Sequence, residues 1–322
     1  MSSIVIFGAS GYLGNALLAS AELIGPMKAI VRSIPVNLEI SSDHVTWVEA
    51  DFMNPASLSG VLFEGDIAIN LAFIKDGSCE ANIILLNNII DACVHSNVSK
   101  LIHCSTATVV GEAKTAQVNE LSQCNPSTSY EKIKYSLEQL VLKSAERGLD
   151  VGIIRPTAII GAGSQNLVKL AQSLLHGKPL GNYLKSCVLG TMPMHLVPVR
   201  NVVAVLLHLS NQVKKLEGRI FIVSSDKDPD NNFKKVKEIL INEFNLAVPR
   251  FPYIFIPKIL QVLIFKILNR TDINMDRTYE ETKVSDLGIG SVDSVSAAVK
   301  QFANAFELER LVDPTINNSD VD

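Results

Sequence analysis

Charge and sulfur are both thin in this sequence. Of its 322 residues 19% are charged, and it has five cysteines and a single tryptophan. The 29 basic side chains do not outnumber the 33 acidic ones, and no basic stripe interleaved with aromatics runs along any segment, so the chain is not expected to bind nucleic acid. Cys79, Cys93, Cys104, Cys124 and Cys187 are odd in number, scattered and without C-x-x-C spacing. That excludes a disulfide framework or zinc site as the expected reading and points to a reduced, cytoplasmic compartment, with no metal. The opening MSSIVIFGAS has no basic flank, long apolar stretch or cleavage site, and reads as a buried strand instead of a leader. Long uninterrupted apolar runs are missing too. The most apolar stretch, FPYIFIPKILQVLIFKILNR, is broken by Pro257, Lys258, Gln261 and Lys266 and falls short of the ~20 residues of a span. It is expected to be a buried or interfacial helix, not a transmembrane one.

What the chain does have is apolar residues, 47% of the total, enough for a large core. Short β-branched runs alternate with helical segments: SIVIFG, a helix from about Tyr12, MKAIVR, VTWVEA, DIAINLAF, a long helix around residues 82–95, KLIHCST, a helix at Tyr130, and DVGIIRP. Continuous apolar strands such as DIAINLA need cover on both faces, so the rhythm predicts an α/β fold with a doubly wound parallel sheet. After Pro156 come a loop GAGSQN, a helix near residues 167–176, a strand-like MHLVPV, a helix from Asn201, the short strand FIVS, and a mainly helical remainder. The expected organisation is a core over 1–160, a small substrate lobe over 161–310 interleaved with it, and a frayed polar tail over 311–322.

Three glycines mark the first strand-to-helix junction, in IVIFGASGYLGNALL. Gly8, Gly11 and Gly14 permit a tight turn, close approach of backbone N–H groups to a pyrophosphate, and close helix packing. The spacing is G-x-x-G-x-x-G and not G-x-G-x-x-G; its position after a strand and before a helix is what makes it a dinucleotide cradle. At the end of the second strand, AIVRSIP offers Arg32 and Ser33 and no acid, which favours NADP over NAD. Asp51, after the third strand, either holds an adenine amino group or serves a turn before Asn54-Pro55.

Tyr130 and Lys134 stand one helical turn apart in SYEKIKYSLEQLV. A phenol, with pKa about 10, moves a proton near neutral pH only when something lowers it, and a lysine four residues on can supply a cation and reach a cofactor ribose. KLIHCSTATVVG ends a strand with Ser105 and Thr106 at the carboxyl edge, where ligands bind in open α/β sheets. Asn166 and Lys169, with Gln165, follow a glycine loop and are substrate-contact candidates, against the alternative of a solvent-facing helix turn. His195, in an apolar stretch, reads as a satisfied core residue and not as a catalyst.

In this order the motifs resemble the extended short-chain dehydrogenase/reductase family, also called the NAD-dependent epimerase/dehydratase family, from Ile4 to about Phe306. The resemblance implies a Rossmann-like fold and a cofactor site of Gly8, Ser10, Gly11, Tyr12, Leu13 and Gly14 in GASGYLG; Arg32 and Ser33; Asp51 and Phe52 in DFMNP; Leu71 and Ala72 in NLAF; and Ser105. Pro156 and Ile159, in IIRPTAIIGAG, would border the nicotinamide carboxamide. It implies Thr106, Tyr130 and Lys134 as the catalytic three, Tyr130 and Lys134 also touching cofactor, and a homodimer through two helices per subunit. Val110 departs from the family's usual tyrosine. Met194, in MHLVPVRNVV, stands where nucleotide-sugar members carry a pyrophosphate-binding arginine. The expected activity is hydride transfer on a small molecule, a nucleotide sugar or related polyol. The alternatives are an apolar ketone or alcohol, as in the hydroxysteroid dehydrogenase and flavonol reductase branch, or a dinucleotide sensor without turnover. Presence of all three catalytic residues argues against the sensor.

Overall fold

The computed structural model describes residues 2–34, 43–112, 115–247, 254, 256–267 and 275–312. Eleven strands occur among them: β1 Ile4–Phe7, β2 Met27–Val31, β3 Val45–Glu49, β4 Ile67–Asn70, β5 Lys100–Cys104, β6 Gln117–Val118, β7 Val151–Pro156, β8 Ala158–Ile160, β9 Leu196–Pro198, β10 Ile220–Val223 and β11 Thr278–Tyr279. The helices are α1 Tyr12–Leu18, α2 Ala21–Ile24, α3 Cys79–His95, α4 Ser129–Ser144, α5 Val168–His176, α6 Pro179–Leu189, α7 Val199–Asn211, α8 Phe233–Glu243, α9 Lys258–Ile267, α10 Thr282–Asp286 and α11 Val295–Val312.

Seven strands form one sheet in the order β10-β7-β5-β4-β1-β2-β3, and every pairing in it is parallel. The cause is visible in the residues. IVIF of β1 and VGIIRP of β7 are buried along their whole length, so each needs a helical layer on both faces. One layer packs Leu13 and Leu17 of α1 and Val202 and Leu206 of α7 on Ile6 and Ile102; the other packs Leu86 and Ile89 of α3 and Leu137 and Val141 of α4 on Val5 and Leu101. The short strand FIVS, placed beyond the core by the sequence rhythm, is the edge strand β10, in register with β7 from Ile220↔Ile153 to Val223↔Pro156. Residues 161–310 thus supply the core with β10 and α7 as well as forming a lobe. That lobe has its own apolar centre, in which Leu240 of α8 and Phe302 and Phe306 of α11 meet Leu167 and Leu196. Residues 313–322 of the expected tail lie outside the described residues, whereas residues 311–312 end α11.

The chain order reverses between β1 and β4: β2 and β3 run to one side, while β4, β5, β7 and β10 run to the other. This is the switch point of a doubly wound sheet, and it opens a crevice at the carboxyl ends of the strands.

Candidate active site

The glycine turn at the end of β1 is packed too tightly for side chains. Gly8 has φ +81°, and a Cβ there would lie 2.7 Å from the Ala72 backbone nitrogen at the end of β4. A Cβ on Gly14 would run into the Ala9 carbonyl oxygen, so the first turn of α1 sits directly on the turn that follows β1. Gly11 is the N-cap without a side-chain cap, and the first intrahelical bond runs from Asn15 N to Gly11 O. The N–H groups of Tyr12, Leu13 and Gly14 therefore have no intrahelical partner, and with exposed Ser10 they form a concavity suited to an anion. Leu71 and Ala72 close its far wall, Leu71 N donating to Phe7 O and Ala72 N to Asn70 Oδ1.

Arg32 and Ser33 are exposed just beyond β2. Beside them lies a carboxylate that reading β2 alone misses: Glu49, in register with Val31, accepts from Ile34 N at 2.8 Å. Only the pairing of β2 with β3 reveals it. Asp51 is exposed and accepts from Met53 N at 3.0 Å, which is the turn role weighed from the sequence. Phe52 stacks edge-on against Phe7 with ring centroids 5.7 Å apart.

On the other side of the switch point the site is built from buried polar groups. A capping box starts α4: Thr128 Oγ1 accepts from Glu131 N, and Glu131 Oε2 accepts from Thr128 N. This T-x-x-E signal was readable in the sequence, and it fixes the turn that carries Tyr130. The Tyr130 ring is 46% exposed and meets Phe73 edge-on at 5.6 Å. One turn on, Lys134 is buried, donates to Cys104 O at 3.1 Å, and holds its ammonium 4.4 Å from the centroid of the same Phe73 ring. Tyrosine and lysine thus meet at Phe73, from the NLAF segment, and Thr106 stands beside the phenol at the end of β5.

The electrostatics differ from the expectation that lysine lowers the phenol. Burial raises the Tyr130 pKa, the neighbouring Cys104 adds to the rise, and a hydrogen bond with Thr106 opposes it. Burial lowers Lys134, while Cys104 and Glu138 favour its charged form. Glu138, another turn along α4 and fully buried, is clamped by Arg155 of β7 through Nε at 2.9 Å and Nη2 at 2.7 Å. His103 is pushed down to about 3 by burial and by Lys134, so it is neutral at physiological pH. With Asn70 Nδ2 donating to its Nδ1 at 3.1 Å, the ring proton belongs on Nε2.

Six more sequence-marked residues lie on neighbouring segments. Ser105 is buried behind Thr106, and Pro156 ends β7. Ile159 lies in β8, and its carbonyl accepts from Asn166 Nδ2 at 2.7 Å, so the amide of Asn166 holds the loop. Lys169, in the first turn of α5, is exposed. His195 pairs through Nδ1 with Asp226 at 2.7 Å, in keeping with a satisfied residue.

A nicotinamide dinucleotide can be tested against this crevice by its orphaned polar atoms. Tyr12 Oη, Ser105 Oγ, Thr157 Oγ1 and Ser164 Oγ are buried without a hydrogen-bond partner, all on segments that follow β1, β5, β7 and β8. Tyr12 Oη lies against Gly161, where a Cβ would come within 2.7 Å and where φ is +151°. Unpaired buried hydroxyls cost free energy unless a ligand meets them, and together with a cradle that excludes Cβ atoms they fit a polar dinucleotide.

Comparison with known proteins agrees. Protein y4nG of Sinorhizobium fredii is 28% identical over 174 residues, 52% of this chain and 43% of that protein, so the match spans less than half the length of that relative. Sterol demethylase protein B of Methylococcus capsulatus is 28% identical over 240 residues, 69% of each chain. The crystal structure of UDP-glucuronic acid 4-epimerase from Bacillus cereus in complex with NAD superposes with a TM-score of 0.74 at 16% identity, covering 98% of this chain and 99% of that one. At that identity the likeness shows the fold. Residues 4–224 match the family described as NAD dependent epimerase/dehydratase, and on that match over more than half of its length this chain is an enzyme that belongs to the NAD dependent epimerase/dehydratase family.

Proposed function

We propose that the chain moves a hydride between a nicotinamide cofactor and a carbinol or carbonyl carbon of a nucleotide sugar or related polyol, with Tyr130 handling the proton. The observation that carries this reading is the meeting of a half-exposed Tyr130 and a buried Lys134 on Phe73, with Thr106 beside the phenol, next to the glycine cradle. The cofactor supplies the hydride acceptor or donor. Gly8 to Gly14 would hold its pyrophosphate, Leu71, Ala72 and Ser105 its middle, and Pro156 and Ile159 its nicotinamide end.

Thr106 orients the substrate oxygen, and Tyr130 takes or gives its proton. Lys134, tied to Cys104 O, is the candidate cation of the site: burial works against its charged form, and Cys104 and Glu138 favour that form. Burial raises the phenol, and the hydrogen bond with Thr106 is what opposes that rise. Asp51 and Phe52 would flank the adenine. Arg32 and Ser33 favour NADP, and Glu49 nearby favours the free ribose hydroxyl of NAD, so cofactor preference follows from which of the two meets the ribose. The division into a core over 1–160 and a substrate lobe over 161–310 interleaved with it, and a homodimer, belong to the same reading. The sugar assignment is supported by the likeness to UDP-glucuronic acid 4-epimerase.

A second reading has its own support. Met194 replaces a cationic contact expected for a diphosphate, and a relative is named for sterol demethylation. That favours an apolar alcohol or ketone. A panel of UDP- and dTDP-sugars against hydroxysteroids, assayed with NADH and NADPH for cofactor absorbance and for epimerised sugar, separates them. Turnover confined to steroids overturns the sugar; tight cofactor binding with no turnover of either class overturns both.

A further inference from the structure

The helix α9 is turned inside out for a soluble surface. Gln261 and Phe265 face the protein, Gln261 Nε2 donating to Ile256 O at 3.0 Å, while Ile259 (79%), Leu260 (51%), Leu263 (50%) and Ile267 (81%) are exposed. At 100° per residue those four occupy one continuous arc, and no polar residue interrupts it. Ile254, just before the helix, is 68% exposed. The neighbouring α6, which borders with α9 a cavity of about 140 Å³ between Cys187, Lys237 and Gln261, turns Leu180 and Leu184 outward as well. Single exposed apolar residues are ordinary, but an apolar arc with a second apolar pair nearby marks a docking surface.

The charge of the same stretch states what docks there. Residues 244–271 contain Arg250, Lys258, Lys266 and Arg270 and no Asp or Glu, in a chain whose net charge is −4. An apolar arc inside a locally cationic, carboxylate-free segment complements a surface that is apolar below and anionic above. We propose that α9 lies in the interface of a bilayer containing anionic lipid, anchoring the enzyme at the membrane surface. Ten residues of helix span about 15 Å, half of a hydrocarbon core, and no described helix is long and apolar enough to cross a membrane, so α9 lies on the bilayer and does not traverse it. Each cation near an anionic surface strengthens binding about fivefold and loses that gain in salt. This inference does not rest on the assigned substrate.

The test is co-sedimentation of the full chain with sucrose-loaded vesicles. Phosphatidylcholine alone is compared with phosphatidylcholine containing phosphatidylglycerol, at low and high salt, using wild type and the double variant Leu263→Ser/Ile267→Ser. Both changed side chains are exposed, so the thermal midpoint and NADPH binding should be unchanged and report on folding. Binding that favours phosphatidylglycerol, weakens with salt and falls about tenfold or more in the double variant supports the proposal. Absence of wild-type binding to phosphatidylglycerol vesicles overturns it, as does equal binding by the variant. A lipid-free dimer in light scattering that the double variant converts to monomer also overturns it, because a second copy then covers the face.

Discussion

The two sides of the sheet's switch point, to which the proposed function assigns one polar ligand, are built in opposite ways. On the β1 and β2 side the work is done by backbone and by what is missing: Gly8 and Gly14 leave no room for a Cβ, and the first N–H groups of α1 have no partner. On the β5, α4 and β7 side it is done by buried ionisable side chains, Lys134, Glu138 and Arg155. The first kind of site is broken by adding atoms and is insensitive to pH. The second is broken by removing atoms and is sensitive to protonation, because an unpaired buried charge costs several kcal/mol.

The largest expected effect tests the charged side. Tyr130→Phe should lower turnover by roughly 10²–10⁴ while cofactor affinity, read by NADPH fluorescence, and thermal midpoint stay put. A variant that keeps its rate removes the proton role from this phenol. Next comes Arg155→Met, which leaves Glu138 fully buried and unpaired and should cost about 3–5 kcal/mol in urea unfolding. Adding Glu138→Leu should restore much of that loss, and failure to do so would mean the pair does more than satisfy itself.

On the cradle side, Gly14→Ala drives a Cβ against the Ala9 carbonyl and should cost about 1–3 kcal/mol, with weaker cofactor binding. Gly290→Ala, where a Cβ meets nothing within 4 Å, should be near neutral; equal losses at both sites would erase the contrast. A pH titration sharpens it further. His103 is held down to about 3 in the fold but titrates near 6.5 when unfolded, so below pH 6.5 the unfolded state binds the extra proton. Stability should therefore fall as pH drops from about 6.5 toward 3, and His103→Gln should flatten that slope. An unchanged slope would assign it to other groups. The smallest effect belongs to exposed Arg32: Arg32→Ser should shift the NADPH to NADH affinity ratio by a few-fold and leave stability alone.

The sequence carried the layered parallel sheet because strands such as IVIF have no polar face to show to water, and it marked the glycine turn by residue type alone. It did not show Glu49 beside Arg32, since that neighbour exists only once β2 and β3 pair. Nor did it show that Asn166 is occupied by Ile159 O. Its pattern predicts a buried or interfacial helix around α9; part of that stretch lies outside the described residues, and the rest buries Gln261 and Phe265 while exposing four apolar neighbours. Periodicity says which residues share a face, and packing decides which face is turned in.

By itself, then, the sequence determined the alternation of strand and helix, the glycine turn and the tyrosine–lysine spacing, all of which are local consequences of backbone freedom and apolar patterning. Only the tertiary structure decided that FIVS closes the sheet, that Phe73 is where Tyr130 and Lys134 meet, and that Arg155 neutralises Glu138 beneath them. Those contacts join residues far apart in the chain, and whether a buried charge is tolerated depends on which partner the fold brings within 3 Å of it.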